Sequence, residues 1–534
     1  MIVKINKQIA EIISANGYNI SLRLDFAKEI EAHFQSSSCL AHPNSYDLAV
    51  QLSQILEQDK KIFAKVYVSG SGYLNFVFHD SYLLSQLSYK DSTDTLLSSF
   101  KDQDVDKINR TVIIDFGGMN VGKEPHIGHF RSLMIGSCLA KAYQSLGYKV
   151  ITDIHLGDYG LNVGIMLTYM LDNKISQVYP KLYQDSVAYV QEYNLRDQAK
   201  NVTVKLQNKI EPVYSLYLSI IEQSKSHFKD LLSLLDINFD LWWGESDTQS
   251  ILAKNINLWI DQGKCYKNLD GAVFTSDQEW ALVNSHGGYL YSATDLGTII
   301  KREEHYQPYK IIYVVDHRQQ EHMNHVFHYA KSWQLSGAKM VFIGFGTVNG
   351  LDGKPYKSRS GENITMAELI NITKEQVRSE NTEDKHIICM ATLKFATLMH
   401  QCSSGYKFNI EQAIKPEGKT GVYILYTIAR INSLLNKVVH IHADKNPIKI
   451  YPPLIACLIY KDQVLQDTVE NHNPALLCDY LYNLAYNFNS FYGQVKFVST
   501  LGSIHPIYHQ ICMQSLSTLK KYLSILGIQS VQTI

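Results

Sequence analysis

The sequence has few cysteines, and they are not spaced as metal sites or disulfide frameworks require. Eight cysteines are scattered over 534 residues, and no two of them form a CxxC motif. This spacing argues against a zinc ribbon and against a secreted fold that depends on disulfides. It favours reduced, mostly buried thiols, as in a cytosolic protein.

Long apolar runs and an excess of charge are also absent. No stretch approaches the roughly 18 apolar residues that a membrane-spanning helix needs, and the first residues contain no apolar signal core. The formal net charge is −1, so an RNA partner would have to be bound by local basic patches. We therefore expect a cytoplasmic protein that does not contact a membrane.

Several familiar motifs are missing: the sequence contains no P-loop, no GxGxxG and no nucleophile elbow. It has no internal repeat either. Its length suggests several domains, because single cores rarely grow beyond about 250–300 residues. Any nucleotide chemistry must therefore rest on other residues of a multidomain chain.

Three regions with different patterns are present, and we predict one domain for each. Residues 1–108 read as a small α+β domain, in which "KVYVSGSGYLNFVF" predicts two β segments around a Gly-Ser turn. Residues 109–372 alternate apolar runs with helical patterns, which predicts an α/β domain with a parallel sheet. A helical stretch at about 165–238 is too long for a simple crossover and predicts an insertion. Residues 373–534 predict an all-helical domain.

The segment "FGGMNVGKEPHIGHFRS" (116–132) places His126 and His129 between a predicted strand and a predicted helix. Ligands bind at the carboxyl edge of parallel strands, and a helix N-terminus attracts phosphate. Imidazoles there can donate hydrogen bonds to phosphate oxygens as negative charge builds, and Gly128 leaves room for a nucleotide. The motif alone is equally compatible with a helix start in which the histidines only cap or pack.

A second candidate phosphate-binding element is "GLDGKPYKSRSG" (350–361). Its glycines and the cations Lys354, Lys357 and Arg359 suit a mobile loop that closes over a triphosphate and neutralises the leaving pyrophosphate. Taken alone, an exposed, solvated turn would be the simpler interpretation. The two elements together are more informative.

Together these segments resemble the arginyl-tRNA synthetase family of class I aminoacyl-tRNA synthetases, with HIGH at 126–129 and a KMSKS-like loop downstream. The resemblance extends to "GYKVITDIHLGDYG", "GGYLYSATDLGTIIKRE", "YVVDHRQQEH" and "EGKTGVYILYTIARINSLL", and so covers nearly the whole chain. It implies a Rossmann-like catalytic domain with a helical insertion, a small N-terminal α+β domain and a C-terminal helical domain that binds the anticodon.

The resemblance implies that arginine attacks the α-phosphate of ATP, bound with Mg²⁺ as the substrate complex, and that the arginyl group then moves to tRNA. It assigns ATP contacts to His126, Gly128 and His129. It assigns pyrophosphate contacts to the downstream loop, through Lys354, Lys357, Ser358 and Arg359. The second lysine of KMSKS falls at Ser358, so Lys123, upstream of HIGH, is expected to supply that charge. No protein-bound metal or organic cofactor is expected.

An arginine pocket should present carboxylates in a fixed fork, because a guanidinium is planar and always charged. The residues that match the family's arginine-binding positions are Asn120, Glu245, Tyr291, Asp295 and Gln319. Without the resemblance, Glu245 and Asp295 would read as ordinary surface acids. A carboxylate pocket rejects uncharged analogues, so no editing domain is expected.

For tRNA, the resemblance implies contacts at Asn75 and Phe76 in the N-terminal domain and at Tyr426 and Tyr492 in the helical domain. Tyrosine stacking on unpaired bases is a common mode of RNA recognition, although both tyrosines also suit a helical core. A monomer is expected. Histidines 317, 322, 325 and 328 suit helix packing, and no carboxylate–cysteine set completes a metal site there.

Three interpretations remain at this point. The first is an active arginine–tRNA ligase whose exchange of pyrophosphate with ATP requires tRNA. The second is a class I synthetase for another amino acid, or a related nucleotidyl-transferring enzyme; the acidic residues disfavour an apolar substrate. The third is a catalytically silent tRNA-binding paralogue, which the intact HIGH motif, Glu245 and Asp295 disfavour.

Overall fold

The structure, a computed structural model, describes residues 1–27, 31–87, 110–277, 280–354, 356, 364–443 and 448–531. Within these residues, none of the helices combines the length and the apolar character that crossing a bilayer would demand.

The N-terminal region is an α+β unit, as predicted. Its elements are α1 (Ile2–Ala15), β1 (Asp25–Phe26), β2 (Phe34–Ser36), α2 (Ser45–Glu57), β3 (Phe63–Ser69), β4 (Tyr73–Phe78) and α3 (Asp80–Leu87), with a 3₁₀ turn at Ser38–Ala41. The strands form an antiparallel sheet in the order β1-β2-β4-β3. The β3–β4 hairpin confirms the two predicted segments, and Gly72 has a φ of +130° in the turn between them.

The next region begins with alternating strands and helices. Its elements up to the sheet's second half are β5 (Thr111–Phe116), α4 (Ile127–Ser145), β6 (Lys149–Asp153), α5 (Leu161–Asp172), α6 (Leu182–Glu192), α7 (Arg196–Gln207), α8 (Val213–Leu234) and α9 (Gln249–Asp261). Helices α5 to α8 are the predicted helical stretch. Their apolar faces share one core, which includes Val163, Leu167, Val202 and Ile220.

A small antiparallel sheet and the remaining parallel strands follow. The elements are β7 (Cys265–Lys267), β8 (Val273–Thr275), β9 (Ala281–Val283), α10 (Tyr291–Tyr306), β10 (Lys310–Asp316), α11 (Gln320–Ser332), β11 (Lys339–Phe345) and β12 (Val348–Asn349), with 3₁₀ turns at Glu245–Thr248 and His317–Gln319.

The main sheet of this region is parallel and four-stranded, in the order β11-β10-β5-β6. The predicted parallel sheet is confirmed, and so is the Rossmann-like class of fold. Strand β5 is an inner strand and is buried along its whole length, which explains its mostly apolar sequence. A Cβ on Gly136 would lie 2.1 Å from the ring of Phe116, so α4 packs on β5 at a distance that only glycine allows.

The C-terminal region is helical, as predicted. Its elements are α12 (Met366–Gln376), α13 (Thr382–Leu398), β13 (Tyr406–Lys407), α14 (Ile410–Ala413), α15 (Gly421–Leu435), β14 (His440–Ile441), α16 (Pro452–Glu470), α17 (Ala475–Tyr492), β15 (Ser503–Ile504) and α18 (Pro506–Ile525). The apolar face of α17 is buried, from Leu477 to Phe491. Gly527, just past α18, has a φ of +72°, as expected at a helix C-terminus.

The chain divides into two compact units. One contains residues 1–103, 379–399 and 411–534, and the other contains residues 104–378 and 400–410. In the second unit, β13 pairs with β12, so residues 400–410 return to the α/β region. The predicted boundary near 108 lies outside the described residues, and the three predicted domain ranges stay predictions.

Candidate functional site

The site is built on two loops that leave the carboxyl ends of neighbouring parallel strands. The loop after β5 runs from Gly117 to His126, and the loop after β6 contains the sequence HLGDYG. Asn120 and Gly157 form a parallel bridge between the two loops. A Cβ on Gly157 would lie 2.3 Å from the Asn120 side-chain oxygen, so the glycine is what lets the loops approach. Asn120 is thereby placed at the sheet edge where ligands bind.

His126 and His129 cap the helix that follows. The Nδ1 of His126 accepts a hydrogen bond from the backbone N–H of Gly128 at 3.0 Å, and the Nδ1 of His129 accepts one from the backbone N–H of His126 at 3.1 Å. A nitrogen that accepts carries no proton, so both rings have the tautomer with the proton on Nε2. Each ring therefore keeps one N–H donor that the helix does not use.

Both imidazoles are held in the neutral form. Burial is the largest influence on His129 and lowers its pKa to about 3, with the neighbouring charges of His126 and Lys123 acting in the same direction. Burial also lowers the pKa of His126, with the charges of Arg318 and Lys123 as further causes. A neutral imidazole that accepts through Nδ1 still has its Nε2–H group to donate to an anion.

Gly128 leaves space for the ring of His126. A Cβ at this position would lie 2.8 Å from Cε1 and 3.0 Å from Nδ1 of His126, closer than side chains tolerate. The sequence suggested that Gly128 makes room for a nucleotide. In the structure it makes room for the imidazole that folds back over the first turn of α4.

The segment after the basic loop holds the same corner in place. The backbone N–H of Ile127 donates to the carbonyl of Ile364 at 3.2 Å, and that of Met366 donates to Pro125 at 3.0 Å. Lys354 lies in an exposed turn in which Gly350 donates to its carbonyl at 2.8 Å. Lys357, Ser358 and Arg359 lie outside the described residues, so their predicted phosphate contacts stay predictions.

Lys123 lies in the same loop as the histidines and is half-buried. Its Nζ is 3.5 Å from the centroid of the Tyr183 ring. Burial lowers the pKa of Lys123 to about 8, so the ammonium form still predominates at neutral pH. The charge predicted to replace the missing loop lysine is thus present beside the histidines.

The predicted acids Glu245 and Asp295 act on each other electrostatically, together with Asp158 from the loop after β6. Glu245 is 7% exposed and Asp158 is 4% exposed. Burial, followed by the charges of Asp158 and Asp295, raises the pKa of Glu245 well above its ordinary value. In the described part of the chain, neither Glu245 nor Asp158 forms an ion pair with a lysine or arginine. A cation bound beside these carboxyl groups would offset the free-energy cost of burying them in the charged form.

Asp158 holds the turn that presents Glu245. Its carboxylate accepts hydrogen bonds from the backbone N–H of Ser246 at 3.0 Å and from the Ser246 hydroxyl at 2.7 Å. The hydroxyl of Tyr217 donates to it at 3.2 Å. Any Cβ on Gly244 would lie within 2.3 Å of the same carboxylate. The position of Glu245 is therefore fixed by contacts to its neighbour.

A cavity of about 480 Å³ lies in front of Glu245. Tyr291 and Thr294 of α10 line it, as do Tyr159 and residues of the helical insertion such as Thr203. The Tyr291 side chain is 53% exposed, at the N-terminus of α10. Tyr291 and Asp295 lie four residues apart on α10.

The carboxylate of Asp295 contacts a histidine on the following helix. Its Oδ2 lies 2.6 Å from Nε2 of His322 on α11, and the ring of Trp280 lies 5.4 Å from the His322 ring. His322, which helical spacing indicated as a packing residue, thus contacts Asp295, a predicted arginine-binding residue. Gln319 is exposed in the 3₁₀ turn after β10, where Asp316 caps the turn by accepting from the N–H of Arg318.

A buried ion cluster lies beneath these loops. Arg302 of α10 is fully buried and donates to Asp115 and Asp153 at 2.6 Å each. Within the described residues, Asp115, Asp153 and His155 meet the distance requirement for a metal site. The Arg302 guanidinium already supplies the cation between the two carboxylates, so the group reads as a structural ion cluster.

The predicted RNA-contacting tyrosines lie on the surface of the helical region. Tyr426 of α15 is 41% exposed and Tyr492 of α17 is 39% exposed. The Arg430 guanidinium lies 5.5 Å from the centroid of the Tyr492 ring and hydrogen-bonds the Asn489 side chain. Two exposed rings and a cation suit an unpaired base and its phosphate.

The predicted contacts by Asn75 and Phe76 are corrected. Both residues are 0% exposed, on the inner strand β4 between β2 and β3. The Asn75 amide donates to Ser69 at 2.8 Å, and the Phe76 ring packs 6.0 Å from Phe63. A side chain without exposed surface cannot contact RNA, so these two residues stabilise the sheet.

Comparison with known proteins agrees with this geometry. Residues 92–408 match the family model for the catalytic domain of class I tRNA synthetases (R), and residues 424–534 match the DALR anticodon binding domain. The chain is 30% identical to the arginine–tRNA ligase of Alkaliphilus oremlandii over 602 aligned positions, which cover 99% of each chain. The chain belongs to the arginyl-tRNA synthetase family. An arginine–tRNA ligase of Francisella tularensis subsp. holarctica is also 30% identical and covers 91% of this chain and 92% of its own length.

Solved structures of arginyl-tRNA synthetases share the fold. The Plasmodium falciparum enzyme superposes with a TM-score of 0.79 at 21% identity and covers 100% of this chain and 99% of its own. The Thermus thermophilus enzyme gives a TM-score of 0.79 at 17% identity, with 100% of both chains covered.

Sequence reasoning missed three contributors to this synthetase-family site: Asp158, Tyr183 and His322. Asp158 lies in HLGDYG, a segment recognised as a family block, but its bond to Ser246 joins residues 88 positions apart. Tyr183 is one of 35 tyrosines and carries no local signal. His322 was interpreted as a packing residue on the basis of its helical spacing.

Proposed function

We propose that the protein is an arginine–tRNA ligase. It activates L-arginine with ATP to form arginyl-adenylate and pyrophosphate, and it transfers the arginyl group to the terminal adenosine of its cognate tRNA. The observation that carries the proposal is the buried Glu245 carboxylate, which faces a cavity and lacks a cationic partner among the described residues. Family membership supports the reaction type.

The arginine side chain binds with its guanidinium against Glu245 and Asp295, and Tyr291 covers it. Burial removes the water that would hydrate these carboxylates. A bound guanidinium supplies hydrogen bonds and a positive charge in its place. Asn120 and Gln319, at the carboxyl ends of β5 and β10, hold the α-amino and α-carboxylate groups. A neutral analogue such as citrulline would leave the carboxylates unpaired.

ATP binds, with its Mg²⁺ ion, at the corner formed by His126, Gly128 and His129. The Nε2–H groups of the two neutral imidazoles donate to phosphate oxygens, and the N-terminus of α4 adds its dipole. Lys123 and the downstream loop, with Lys354, Lys357, Ser358 and Arg359, neutralise the pyrophosphate. No protein-bound metal or organic cofactor is required.

In the first step the arginine carboxylate attacks the α-phosphorus, the bond to the bridging oxygen breaks, and pyrophosphate leaves. In the second step a ribose hydroxyl of the terminal adenosine attacks the arginyl carbonyl, AMP leaves, and the hydroxyl proton is released. Neither step needs a protein nucleophile. The protein contributes positioning and stabilisation of charge.

The tRNA anticodon loop stacks on Tyr426 and Tyr492, and Arg430 adds positive charge. We propose that the enzyme is a cytoplasmic monomer and that the exchange of pyrophosphate with ATP requires tRNA. Exchange at full rate without RNA would contradict that last point.

Charging of bulk tRNA by the purified protein tests the proposal. We expect arginine, and none of the other amino acids, to be esterified to tRNA. His129→Ala should lower the rate by at least about 100-fold, since it removes a phosphate donor, whereas the surface variant Tyr193→Ala should retain it. Charging with a different amino acid would refute the arginine assignment. Equal, negligible activity of the wild type and His129→Ala would indicate a silent tRNA-binding paralogue.

A further inference from the structure

Lys123 is held by a residue from the helical insertion. Its Nζ lies 3.5 Å from the centroid of the Tyr183 ring, which belongs to α6. The Tyr183 hydroxyl donates to the side-chain oxygen of Asn162 on α5 at 3.0 Å. The ring thus belongs to α6 and is linked to α5, and the ammonium contacts its face.

We propose that Tyr183 is the positioning residue for Lys123, and that its ring holds the ammonium beside His126 and His129 on the phosphate side of the ATP site. This inference rests on the proposed function and deepens it. It gives the insertion a part in activating the substrate, through one aromatic contact.

An aromatic ring holds a cation without cancelling its charge. The ring face attracts the ammonium through its quadrupole but carries no net charge. In the described part of the chain, no carboxylate forms an ion pair with Lys123, and the neighbouring Glu124 lies 3.1 Å from His227 instead. The ammonium therefore keeps its full charge and its N–H donors for phosphate oxygens.

The ammonium is close enough to act on both histidines. After burial, which is the largest cause, the charge of Lys123 is among the influences that lower the pKa of His126 and of His129. A lysine side chain otherwise has many rotamers, and ordering one at the moment of binding costs free energy. The ring removes much of that cost in advance. A well-positioned Lys123 ammonium matters more in this chain because Ser358 stands where the family motif has a second lysine.

A double-mutant cycle on ATP tests the inference. The variants are Tyr183→Leu, Tyr183→Phe, Lys123→Met and the double variant Tyr183→Leu/Lys123→Met. The quantities measured are kcat and KM for ATP in amino-acid-dependent pyrophosphate exchange with tRNA present. Tyr189→Leu is the matched control, because Tyr189 is on the same helix but its ring packs against Tyr169 and Tyr193.

We expect Tyr183→Leu to lower kcat/KM for ATP about tenfold, while Tyr183→Phe and Tyr189→Leu stay within about twofold. In the Lys123→Met background, Tyr183→Leu should cause no further loss, because its partner is gone. Additive losses, or an equal loss with Tyr183→Phe, would overturn the inference. A general packing role would give additive losses.

A second measurement covers the case in which Tyr183→Leu folds poorly. Tyr183→Gln introduces a polar residue with good helix propensity but no ring, and it should show the same coupling to Lys123. Because the cycle measures ATP, exchange stimulated by another amino acid would refute the arginine assignment and still report the coupling. Normal arginine charging with additive losses would refute only the role of Tyr183.

Discussion

His129 accepts a hydrogen bond through its Nδ1 from the backbone N–H of His126 at 3.1 Å. The same contact caps the helix and places the ring proton on Nε2, where it faces away from the backbone donor. One hydrogen bond thus serves both folding and the proposed phosphate binding. Protonation of Nδ1 would abolish it.

This contact predicts a pH dependence of stability. The pKa of His129 is about 3 in the folded chain, chiefly because of burial, against an ordinary value of 6.5. As the pH falls from 6.5 towards 3, the unfolded chain binds a proton that the folded chain does not, so folding stability decreases in that window. Above pH 6.5 the contribution is complete. Urea unfolding at about pH 7 and pH 5 should show a larger loss for the wild type than for His129→Asn; equal losses would contradict the prediction.

Gly128→Ala should displace the His126 ring. The new Cβ would lie 2.8 Å from Cε1 of that ring, so the imidazole must rotate away and the cap is lost, at a cost of about 1 kcal/mol. We expect kcat/KM for ATP to fall at least about tenfold in pyrophosphate exchange. Gly337→Ala is the control, because nothing lies within 4 Å of its Cβ position. Unchanged exchange by Gly128→Ala would show that the His126 ring position is unimportant.

Arg302→Met should destabilise the α/β unit strongly. It leaves the buried carboxylates of Asp115 and Asp153, each now 2.6 Å from Arg302, without a counter-charge. Breaking such a buried pair costs about 3–5 kcal/mol, which thermal or urea unfolding can measure. Arg318→Met breaks an ion pair in which the arginine side chain is 83% exposed and should cost no more than about 1 kcal/mol. Equal effects of the two variants would contradict the structural interpretation of Arg302.

Tyr492→Ala should weaken tRNA binding and leave the amino-acid pocket unaffected. Loss of one stacking ring costs about 1–3 kcal/mol, so KM for tRNA in the charging reaction should rise by roughly 5- to 150-fold, with KM for arginine unchanged. Tyr426→Ala should behave in the same way. Tyr193→Ala, which removes a tyrosine that is 58% exposed elsewhere, is the control. A change in KM for arginine would contradict the assignment of these tyrosines to tRNA binding alone.

Local patterns predicted the elements, whereas contacts between distant residues determined the site. The parallel sheet, the helix after HIGH and the helical character of the C-terminal region followed from apolar spacing. The tRNA contacts of Asn75 and Phe76 were expected from the family resemblance, which does not reveal that both side chains are buried in this chain. Asp158 and Tyr183 act through partners in other segments, and no single-sequence pattern encodes such pairs.

The central claim is that the carboxylates of Glu245 and Asp295 bind a guanidinium. The most direct measurement is the affinity of the wild type and of Glu245→Gln for arginine and for citrulline, by calorimetry with tRNA present. The wild type should prefer arginine by at least about 100-fold, and Glu245→Gln should lose most of that preference with little loss of ATP binding. Equal binding of arginine and citrulline by the wild type would contradict the account.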